Sequence, residues 1–521
     1  MDTFDTGAES ALTRIPRERR KRRAHRRHEP RPKRSFWSQI DQVLTSIERA
    51  ARELRGLADA GASVMELASQ GRGAARTLTG RAKRLHDTGT MLARLVLGYR
   101  LFGLRTAFTT RERAELLRDR LHADNAARFL RTSREQGGAF LKVGQLLSAR
   151  ADLLPDVWVR ELSTLQDAAP PIASGLARQE LAEGLGEVAF AHLVELDEVP
   201  LAAASIGQVH RGRTDTGVEV AVKVQRPGIA ELVEDDLALL TLCFEALRGS
   251  LPQLPLETIA TQIRTHILAE LDYVREAELG LRVGRFFADY ERVIIPAPIS
   301  ELCCPTVLTT QYVAARKISA VLDELSAQRA SGNAVAHERL SELMGLLLQA
   351  YLRQILQLGT FQADPHPGNL MVTSADELVI LDFGCAGELD TPTRHAYLDL
   401  LDAFFQRDDA ALLQAFAALG FKTQSGDATT LLAFMHALLG ELAEAIQHGR
   451  VRWPDREALA QRAGALGESF LDDPVVSIPD HFVMIGRVLT TLGGMFSHYR
   501  PDIDVVRHVL PVLVDAKRNN L

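Results

Sequence analysis

Apolar and polar positions follow a helical pattern through the first third of the chain. From Phe36 to about Arg120, Ala and Leu mix with Arg, and few helix-breaking residues interrupt them. A second helical block extends from Glu112 to about Gln166 and is closed by the proline pair at 170 and 171. We therefore expect helices throughout this part of the chain.

Short β-branched runs replace that pattern between roughly Val188 and Val313. They predict strands at Glu219–Gln225, Arg292–Ile295 and Thr306–Val313, with two longer helical stretches between them.

Beyond His337 the pattern is again helical, except for a predicted hairpin at about Leu370–Phe383. A small sheet-rich lobe followed by a large helical lobe is the plan of a protein kinase. The sequence thus predicts an α+β, two-lobed protein-kinase-like fold with an N-terminal helical extension. The predicted segments are a disordered basic tail (1–35), a helical N-terminal region (36–110), a further helical extension (111–187), a kinase-like N-lobe (188–313) and a kinase-like helical C-lobe (314–521).

Charge is distributed unevenly along the chain. Residues 1–35 hold 12 Lys and Arg against 5 Asp and Glu, whereas the whole chain of 521 residues has a net charge of −6. The basic cluster Arg17–Arg34 has no apolar periodicity and is interrupted by Pro30 and Pro32, so we expect it to be disordered. It is either a solvated tail or a contact for anionic lipid headgroups or nucleic acid; we favour the solvated tail and expect no nucleic-acid partner.

Cysteine usage and apolar run lengths bear on location. The four cysteines have neither metal-ligand spacing nor a disulfide pattern, which favours a reducing, cytoplasmic setting. No stretch approaches 18 consecutive apolar residues, so the sequence predicts no membrane-spanning helix. Any membrane contact would be peripheral, at the inner face, through the basic tail or an amphipathic helix such as Met91–Phe108. The cysteines are Cys243, Cys303, Cys304 and Cys385.

One predicted strand carries a candidate phosphate-binding lysine. Alternation along Glu219–Gln225 places Val220, Val222 and Val224 on one face and Lys223 on the other. The run Glu-Val-Ala-Val-Lys matches the strand that carries the phosphate-binding lysine of kinases. Lys223 is therefore expected to face a nucleotide cleft, where its ammonium can hold phosphates.

Such a lysine needs a carboxylate partner. The segment Glu270–Glu276 predicts an acidic helix on which Asp272 and Glu276, four residues apart, share one face. We expect Glu276 to be the ion-pair partner of Lys223.

Two further segments supply candidate catalytic and metal-binding groups. In Phe361–Asn369, Asp364 and Asn369 have the five-residue spacing of the kinase catalytic loop. The carboxylate of Asp364 would orient the nucleophile, and the amide oxygen of Asn369 would help hold a metal ion. Asp382 then precedes Phe-Gly at the end of an apolar strand, which is the kinase arrangement for a Mg²⁺ ligand.

The loop before the lysine strand departs from an ordinary kinase. Pro200–His210 contains alanines where a glycine-rich loop is expected, and alanine avoids positive φ, so this loop should be stiffer. Its backbone N–H groups and a serine hydroxyl could still cradle phosphate; otherwise it is a small-residue turn between strands. The candidate nucleotide contacts in this loop are Ala203, Ala204, Ser205, Gly207 and Val209.

A second departure lies upstream. On a helix at Gly137–Ser148, Phe140, Val143 and Leu147 share one side, while Lys142 and Gln145 lie roughly opposite. The apolar side could pack on the small lobe and leave the polar pair facing the cleft or solvent.

Together these motifs resemble the UbiB family of AarF-domain, ADCK-type atypical kinases, over about residues 110–400. The resemblance implies bound ATP and Mg²⁺, and a helical extension packed over the cleft, with ATP hydrolysis favoured over protein phosphorylation. It also implies a link to ubiquinone biosynthesis or isoprenoid-lipid homeostasis, with such lipids or their biosynthetic enzymes as partners. The residues implied to occlude or reshape the protein-substrate site are Lys142, Gln145, Glu270 and Asp272.

Two positions depart from this family. Leu279 stands where members often carry an Asn three residues after the glutamate that corresponds to Glu276. Many bacterial members close with paired membrane helices, whereas the charged segment Asp502–Leu521 is not expected to span a bilayer.

Three functions remain open at this level. The first is an ATPase or phosphotransferase in which Lys223, Glu276 and Asp364 are catalytic, with Asn369 and Asp382 on Mg²⁺. The second is a nucleotide-gated lipid-binding scaffold without required catalysis. The third, an antibiotic- or sugar-type kinase, does not account for the helix that carries Lys142. A homodimer is an open alternative for the assembly.

Overall fold

The structure is a computed structural model that describes residues 75–106, 109–148, 154–165, 171–248, 256–424, 430–433, 435, 450–451, 475–477 and 479–518. All of these residues belong to the unit Gly61–Leu521. The predicted disordered tail and most of the predicted helical region before residue 75 lie outside the described residues.

Helices dominate both ends of the described chain. They are α1 (Ala75–Thr106), α2 (Arg111–Gln136), α3 (Gly138–Ser148), α4 (Asp156–Leu162), α5 (Ser174–Ala191), α6 (Ile229–Leu247), α7 (Leu256–Glu270), α8 (Tyr273–Phe287), α9 (Ile318–Ala330), α10 (Ala334–Arg353), α11 (Thr391–Gln406), α12 (Asp409–Leu419), α13 (Asp480–Tyr499), α14 (Val505–His508) and α15 (Leu510–Arg518).

Short strands occupy the middle of the chain, with a few more towards its end. They are β1 (Leu193–Leu196), β2 (Ala202–Ala203), β3 (Gly207–Thr214), β4 (Glu219–Gln225), β5 (Val293–Ile294), β6 (Val307–Gln311), β7 (Arg316–Lys317), β8 (Thr360–Gln362), β9 (Leu370–Val372), β10 (Leu378–Ile380), β11 (Ala386–Glu388), β12 (Lys422–Thr423), β13 (Arg450–Val451), β14 (Val475–Ser477) and β15 (Ile503–Asp504).

The small lobe is an antiparallel sheet in the order β1-β3-β4-β6, with β2 paired to β3. The predicted alternation of β4 is confirmed, because Val220, Val222 and Val224 are fully buried and pack with Leu181 of α5. Lys223 therefore faces the opposite side of the sheet.

The large lobe surrounds a core shared by helices α8 to α13 and by the hairpin β9–β10. That hairpin lies within the predicted segment Leu370–Phe383. Its strand β10 also pairs in parallel with β5, and β9 pairs with β7. The four strands hold the turn before β9 and the chain after β10 at the same end of the hairpin.

The N-terminal helices pack on each other and on the helices inserted between β4 and β6. Helix α1 packs against α2 and α6, and Met91, Leu92, Leu95 and Tyr99 are buried in these contacts. Over Met91–Tyr99 the protein itself therefore covers most of the apolar face that was suggested as a membrane contact.

Helix α3 lies among α2, α4, α6 and α7. Its apolar side, with Phe140 and Val143 fully buried, therefore packs on these helices. The sequence had suggested that this side packs on the small lobe instead. Within the described residues, no helix is long and apolar enough to cross a membrane.

Candidate active site

The central contact of the site joins the small lobe to α8. The Lys223 ammonium lies 3.0 Å from Oε1 and 2.9 Å from Oε2 of Glu276, and it also lies 4.8 Å from the centre of the Tyr273 ring. Lys223 comes from β4 and Glu276 from the first turn of α8. The predicted pairing of Lys223 with Glu276 is thus present.

Burial and charge act in opposite directions on this pair. Glu276 is 5% exposed, and burial raises its pKa to about 7 although the Lys223 charge opposes the rise. Burial also disfavours the ammonium of Lys223, but Asp382 and Glu276 outweigh it and hold the pKa of Lys223 well above its usual value. Lys223 therefore remains a cation at neutral pH and is suited to contact phosphate.

Asp382 completes this group. Its Oδ2 lies 3.4 Å from the Lys223 ammonium, and its Oδ1 accepts a hydrogen bond from the Gly384 N–H at 3.1 Å. Its backbone is left-handed, with φ 62°, a conformation that is uncommon outside glycine and clusters at functional sites. The surrounding protein acts to raise the pKa of Asp382, but the charges of Lys223 and Lys142 lower it.

The catalytic-loop candidates are held by their backbone. The Asn369 side-chain N–H donates to the Asp364 carbonyl at 3.1 Å, and the Leu381 N–H donates to the Asn369 carbonyl at 2.9 Å. The second of these bonds ties the loop to the residue directly before Asp382. Asn369 and Asp382 are therefore brought to one place by the chain on either side of the hairpin.

A buried polar network lies beneath this loop. The Gln362 side chain donates to the Asp364 carbonyl at 2.6 Å and accepts from the Tyr351 hydroxyl at 2.6 Å. The backbone N–H of Gln362 donates to the Gln354 side chain. Gln354 begins a short π-helical turn, Gln354–Leu358, a geometry that is frequent at functional sites. No sequence motif marks these residues.

Arg487 is the main site residue that the sequence analysis missed. It comes from α13, and its Nη2 lies 2.9 Å from Oδ2 of Asp364. No local motif signals this contact, because α13 lies far downstream of the catalytic loop.

The alanine-containing loop is more tightly closed than predicted. The Ala204 N–H donates to the Gly207 carbonyl at 2.8 Å, so this N–H does not point to a ligand, and the Ala204 carbonyl accepts from Arg226. Val209 pairs with Lys223 across β3 and β4 and so lies beside it on the same face of the sheet. The Ala204 N–H is therefore not available to a phosphate, contrary to the expectation from the sequence.

Two buried hydroxyls of this region have no hydrogen-bond partner within the described part of the chain, those of Ser205 and Tyr273. A side chain on Gly207 would lie 2.7 Å from the Tyr273 hydroxyl, which places that hydroxyl under the loop. An unpaired buried donor costs about 1–3 kcal/mol, so an acceptor that entered beside the loop would be favoured. Phosphate oxygens are such acceptors.

The groups present also suit a magnesium ion. Mg²⁺ prefers oxygen ligands, and it is usually held by one or two carboxylates together with substrate phosphates. Asp382 offers a carboxylate with an acidic pKa, and Asn369 offers its amide oxygen because its nitrogen is engaged with Asp364. The described residues contain no cluster of three or more His, Cys, Asp or Glu that would form a metal cage.

The predicted acidic helix proves to be two helices. Helix α7 ends at Glu270, and Asp272 is the N-cap of α8, where its side chain accepts from the Arg275 N–H at 3.0 Å. Asp272 is exposed and caps the helix, so it does not share a helical face with Glu276 as predicted.

Lys142 and Glu270 meet beside the central cluster. The Lys142 ammonium lies 3.2 Å from Oε2 of Glu270, and both side chains are largely buried. Burial raises the pKa of Glu270, and the Lys142 charge opposes this rise. Gln145 is on the same helix as Lys142, and the Lys142 charge helps to lower the pKa of Asp382.

A surface clamp links α8 to the segment after Asp382. Arg275 lies 3.0 Å and Arg282 lies 2.6 Å from the carboxylate oxygens of Glu388 in β11. Glu276 lies between the two arginines along α8, so the clamp helps to fix the position of Glu276, the ion-pair partner of Lys223.

Comparisons with known proteins point to one family. Residues 164–416 match the model of the ABC1 atypical kinase-like domain. The chain is 32% identical, over 396 residues, to the chloroplastic protein ACTIVITY OF BC1 COMPLEX KINASE 7 of Arabidopsis thaliana, which covers 73% of this chain and 53% of that protein. It is 29% identical to a chloroplastic aarF domain-containing protein kinase of the same plant, and this match covers 79% of this chain and 55% of that protein. The chain spans about half the length of these relatives.

A solved structure shows the same fold. The complex of Rv3197 with erythromycin from Mycobacterium tuberculosis superposes with a TM-score of 0.53 at 22% identity, and the match covers 76% of this chain and 98% of that one. Together with the family match, this similarity confirms the predicted α+β kinase-like fold with N-terminal helices. Residues 164–416 belong to the ABC1 atypical kinase-like family, the AarF-domain, UbiB-type kinases that the motifs of this chain predict.

Proposed function

We propose that this chain binds ATP with Mg²⁺ between its two lobes and either hydrolyses it or transfers its terminal phosphoryl group to a small acceptor. The observation that carries the proposal is the convergence of Lys223, Glu276 and Asp382 in one group of ion pairs, with Asn369 tied to the residue before Asp382. These are the positions that handle phosphate and metal in kinases.

Each residue has a role in this proposal. Lys223 binds the phosphates, and Glu276 holds the lysine in place. Asp382 and Asn369 would hold Mg²⁺, which, when bound, neutralises charge on the phosphates. Asp364 orients the attacking water or hydroxyl, and the Ser205 hydroxyl donates to a phosphate oxygen.

Access to the site favours a small acceptor. Helix α3 places Lys142 on Glu270, and a side chain on Gly384 would lie 3.8 Å from the Glu270 Cα. Helix α3 therefore lies close to the segment that follows Asp382, where a peptide substrate would otherwise approach. Water or a small molecule fits this arrangement better than a protein.

The test is ATP turnover by the purified protein and its Asp382→Asn and Lys223→Met variants. We expect both to lose turnover by about 100-fold or more, because Lys223→Met removes the cation that binds the phosphates and Asp382→Asn removes the carboxylate that would hold Mg²⁺. Arg339→Ala is the matched control, since it breaks an ion pair with Asp376 at the far end of the β9–β10 hairpin. Wild-type turnover by the Asp382→Asn variant would reject the assignment.

The acceptor and pathway rest on the family resemblance. We infer a role in ubiquinone or isoprenoid-lipid metabolism, with peripheral contact to anionic membranes. Turnover measured with and without anionic liposomes and a quinone-precursor-like phenol tests this role, and a lack of stimulation by both would contradict it.

A nucleotide-gated lipid-binding scaffold is the second candidate function. The contact of α3 with Glu270 favours it, because a covered site can report nucleotide binding through movement of that helix. Undiminished lipid extraction by the Asp382→Asn variant would favour the scaffold, and its loss would favour catalysis.

A further inference from the structure

A C-terminal helix brings a guanidinium to the catalytic loop. Helix α13, Asp480–Tyr499, begins after Pro479 and packs against β11, the strand that follows the Asp382 segment. It lies outside residues 164–416, which match the family model. Arg487 of α13 thus reaches the site from outside the residues that match the family model.

Arg487 joins two segments of the site. Its Nη2 lies 2.9 Å from Oδ2 of Asp364, and its Nη1 donates to the Cys385 thiol at 3.5 Å. Cys385 directly follows Gly384 and is buried. A planar guanidinium can contact two groups at fixed angles, so it holds the catalytic loop against the segment after Asp382.

Arg487 remains charged in this position. Burial acts to lower its pKa, but Cys385, Asp364 and Glu270 raise it by more. Its side chain is 22% exposed and that of Asp364 is 28% exposed, so solvent screens the ion pair only in part.

The Asp364 side chain depends on this contact. Its backbone carbonyl is fixed by Gln362 and Asn369, but those bonds do not set the orientation of the carboxylate. Across the described residues, the structure gives the Asp364 carboxylate no hydrogen bond or ion pair other than that with Arg487. The guanidinium therefore selects the rotamer of Asp364 and leaves Oδ1 for another group.

We propose that Arg487 is a positioning residue that holds the Asp364 carboxylate toward the nucleophile and offsets its negative charge beside the triphosphate. This inference rests on the proposed function. Without Arg487, the carboxylate is free to rotate, and its charge repels the phosphates. Misplacing a catalytic group by about 1 Å can cost about 100-fold in rate.

Steady-state ATP turnover of Arg487→Ala and Arg487→Lys provides the first test. We expect kcat to fall about tenfold to a hundredfold in Arg487→Ala, with nucleotide affinity changed less than about twofold. Arg487→Lys should recover only part of kcat, because an ammonium makes one contact where the guanidinium makes two. Millimolar guanidinium ion should raise the turnover of Arg487→Ala but not that of Asp382→Asn.

A nucleotide-free measurement provides the second test. Thermal unfolding should show that the stability losses of Arg487→Ala and Asp364→Ala do not add up in the double variant, since the two side chains contact each other. The stability losses of Arg339→Ala and Asp364→Ala should add up in their double variant, because Arg339 pairs with Asp376 and not with Asp364.

The outcomes separate this inference from the proposed function. Normal kcat in Arg487→Ala, or a loss of nucleotide affinity equal to the loss of kcat, overturns the positioning role while wild-type turnover stands. Higher turnover in Arg487→Ala also overturns it and identifies the contact as inhibitory. A wild-type protein without turnover overturns the proposed function, and the positioning role with it.

Discussion

Gly384 lies directly against Glu276: a Cβ added at Gly384 would come within 3.3 Å of Glu276 Oε2 and 3.2 Å of Asp382 Oδ1. Both carboxylates are also contacts of Lys223. The absence of a side chain at this position is therefore part of what allows the two carboxylates to meet on one ammonium.

Gly384→Ala should impair turnover more than stability. The added methyl group has to displace one of the carboxylates by a few tenths of an ångström, which weakens the Lys223 pair. We expect turnover to fall about tenfold, with a loss of stability of about 1 kcal/mol or less. ATP turnover and chemical denaturation check this result, with Gly486→Ala as control, because a Cβ at that helical glycine contacts nothing within 4 Å. Equal turnover in the two variants would contradict it.

Turnover should depend on pH through Glu276. Burial raises the pKa of Glu276 to about 7, so the free enzyme gains a proton there as pH falls through neutrality, and the protonated carboxyl loses its charge attraction to Lys223. We expect kcat/KM for ATP to decline below about pH 7, and to be lower and less pH-dependent in Glu276→Gln.

The effect on stability has the opposite sign. Between its usual pKa of 4.5 and about 7, the folded-state carboxyl of Glu276 binds a proton that the unfolded chain does not bind. Its contribution to the free energy of unfolding is therefore fully present below pH 4.5 and is lost as pH rises through about 7. Denaturation midpoints of the wild type and Glu276→Gln between pH 5 and 8 check this sign.

For the pH dependence of turnover, a kcat/KM profile that is flat in the wild type would contradict the assignment of the ionisation to Glu276.

The Glu388 clamp should affect nucleotide use more than stability. Glu388→Gln weakens the pairs with Arg275 and Arg282, which are about half exposed, so the stability loss should stay below about 1 kcal/mol. Helix α8 is then less firmly held, and we expect KM for ATP to rise a few-fold. Glu324→Gln, which removes an exposed partner of Arg316, is the matched control. Identical KM values in the two variants would show that the clamp does not position α8.

The core of the small lobe should be sensitive to truncation of β4. Val222 is fully buried, and Val222→Ala removes about two buried methylene equivalents and leaves a cavity, at a cost of about 2 kcal/mol. Val218→Ala, at a position 39% exposed, should cost less than about 0.5 kcal/mol. Chemical denaturation of the two variants checks the difference, and equal losses would contradict the packing of β4.

The local parts of the site could be predicted from sequence. Period-two alternation was sufficient to orient Lys223, and the spacing of Asp364 and Asn369 was sufficient to locate the catalytic loop. These features depend on residues close together in the chain, and the structure retains them.

Other features depend on contacts that spacing does not encode. The boundary between α7 and α8 was missed because Asp272 fits a helical pattern as well as it fits a cap. The cover over the apolar face of Met91–Tyr99 could not be predicted, because periodicity reveals an apolar face but not what packs on it. Arg487 was missed because only the folded chain brings α13 to Asp364.

The left-handed backbone at Asp382 restricts which residues can stand there. Asparagine tolerates this conformation about as well as aspartate does and can still accept the Gly384 N–H, whereas alanine or a β-branched residue would add strain. A single change to asparagine thus removes the negative charge and spares the architecture. Under the proposed function, this one substitution would abolish turnover without first changing the fold.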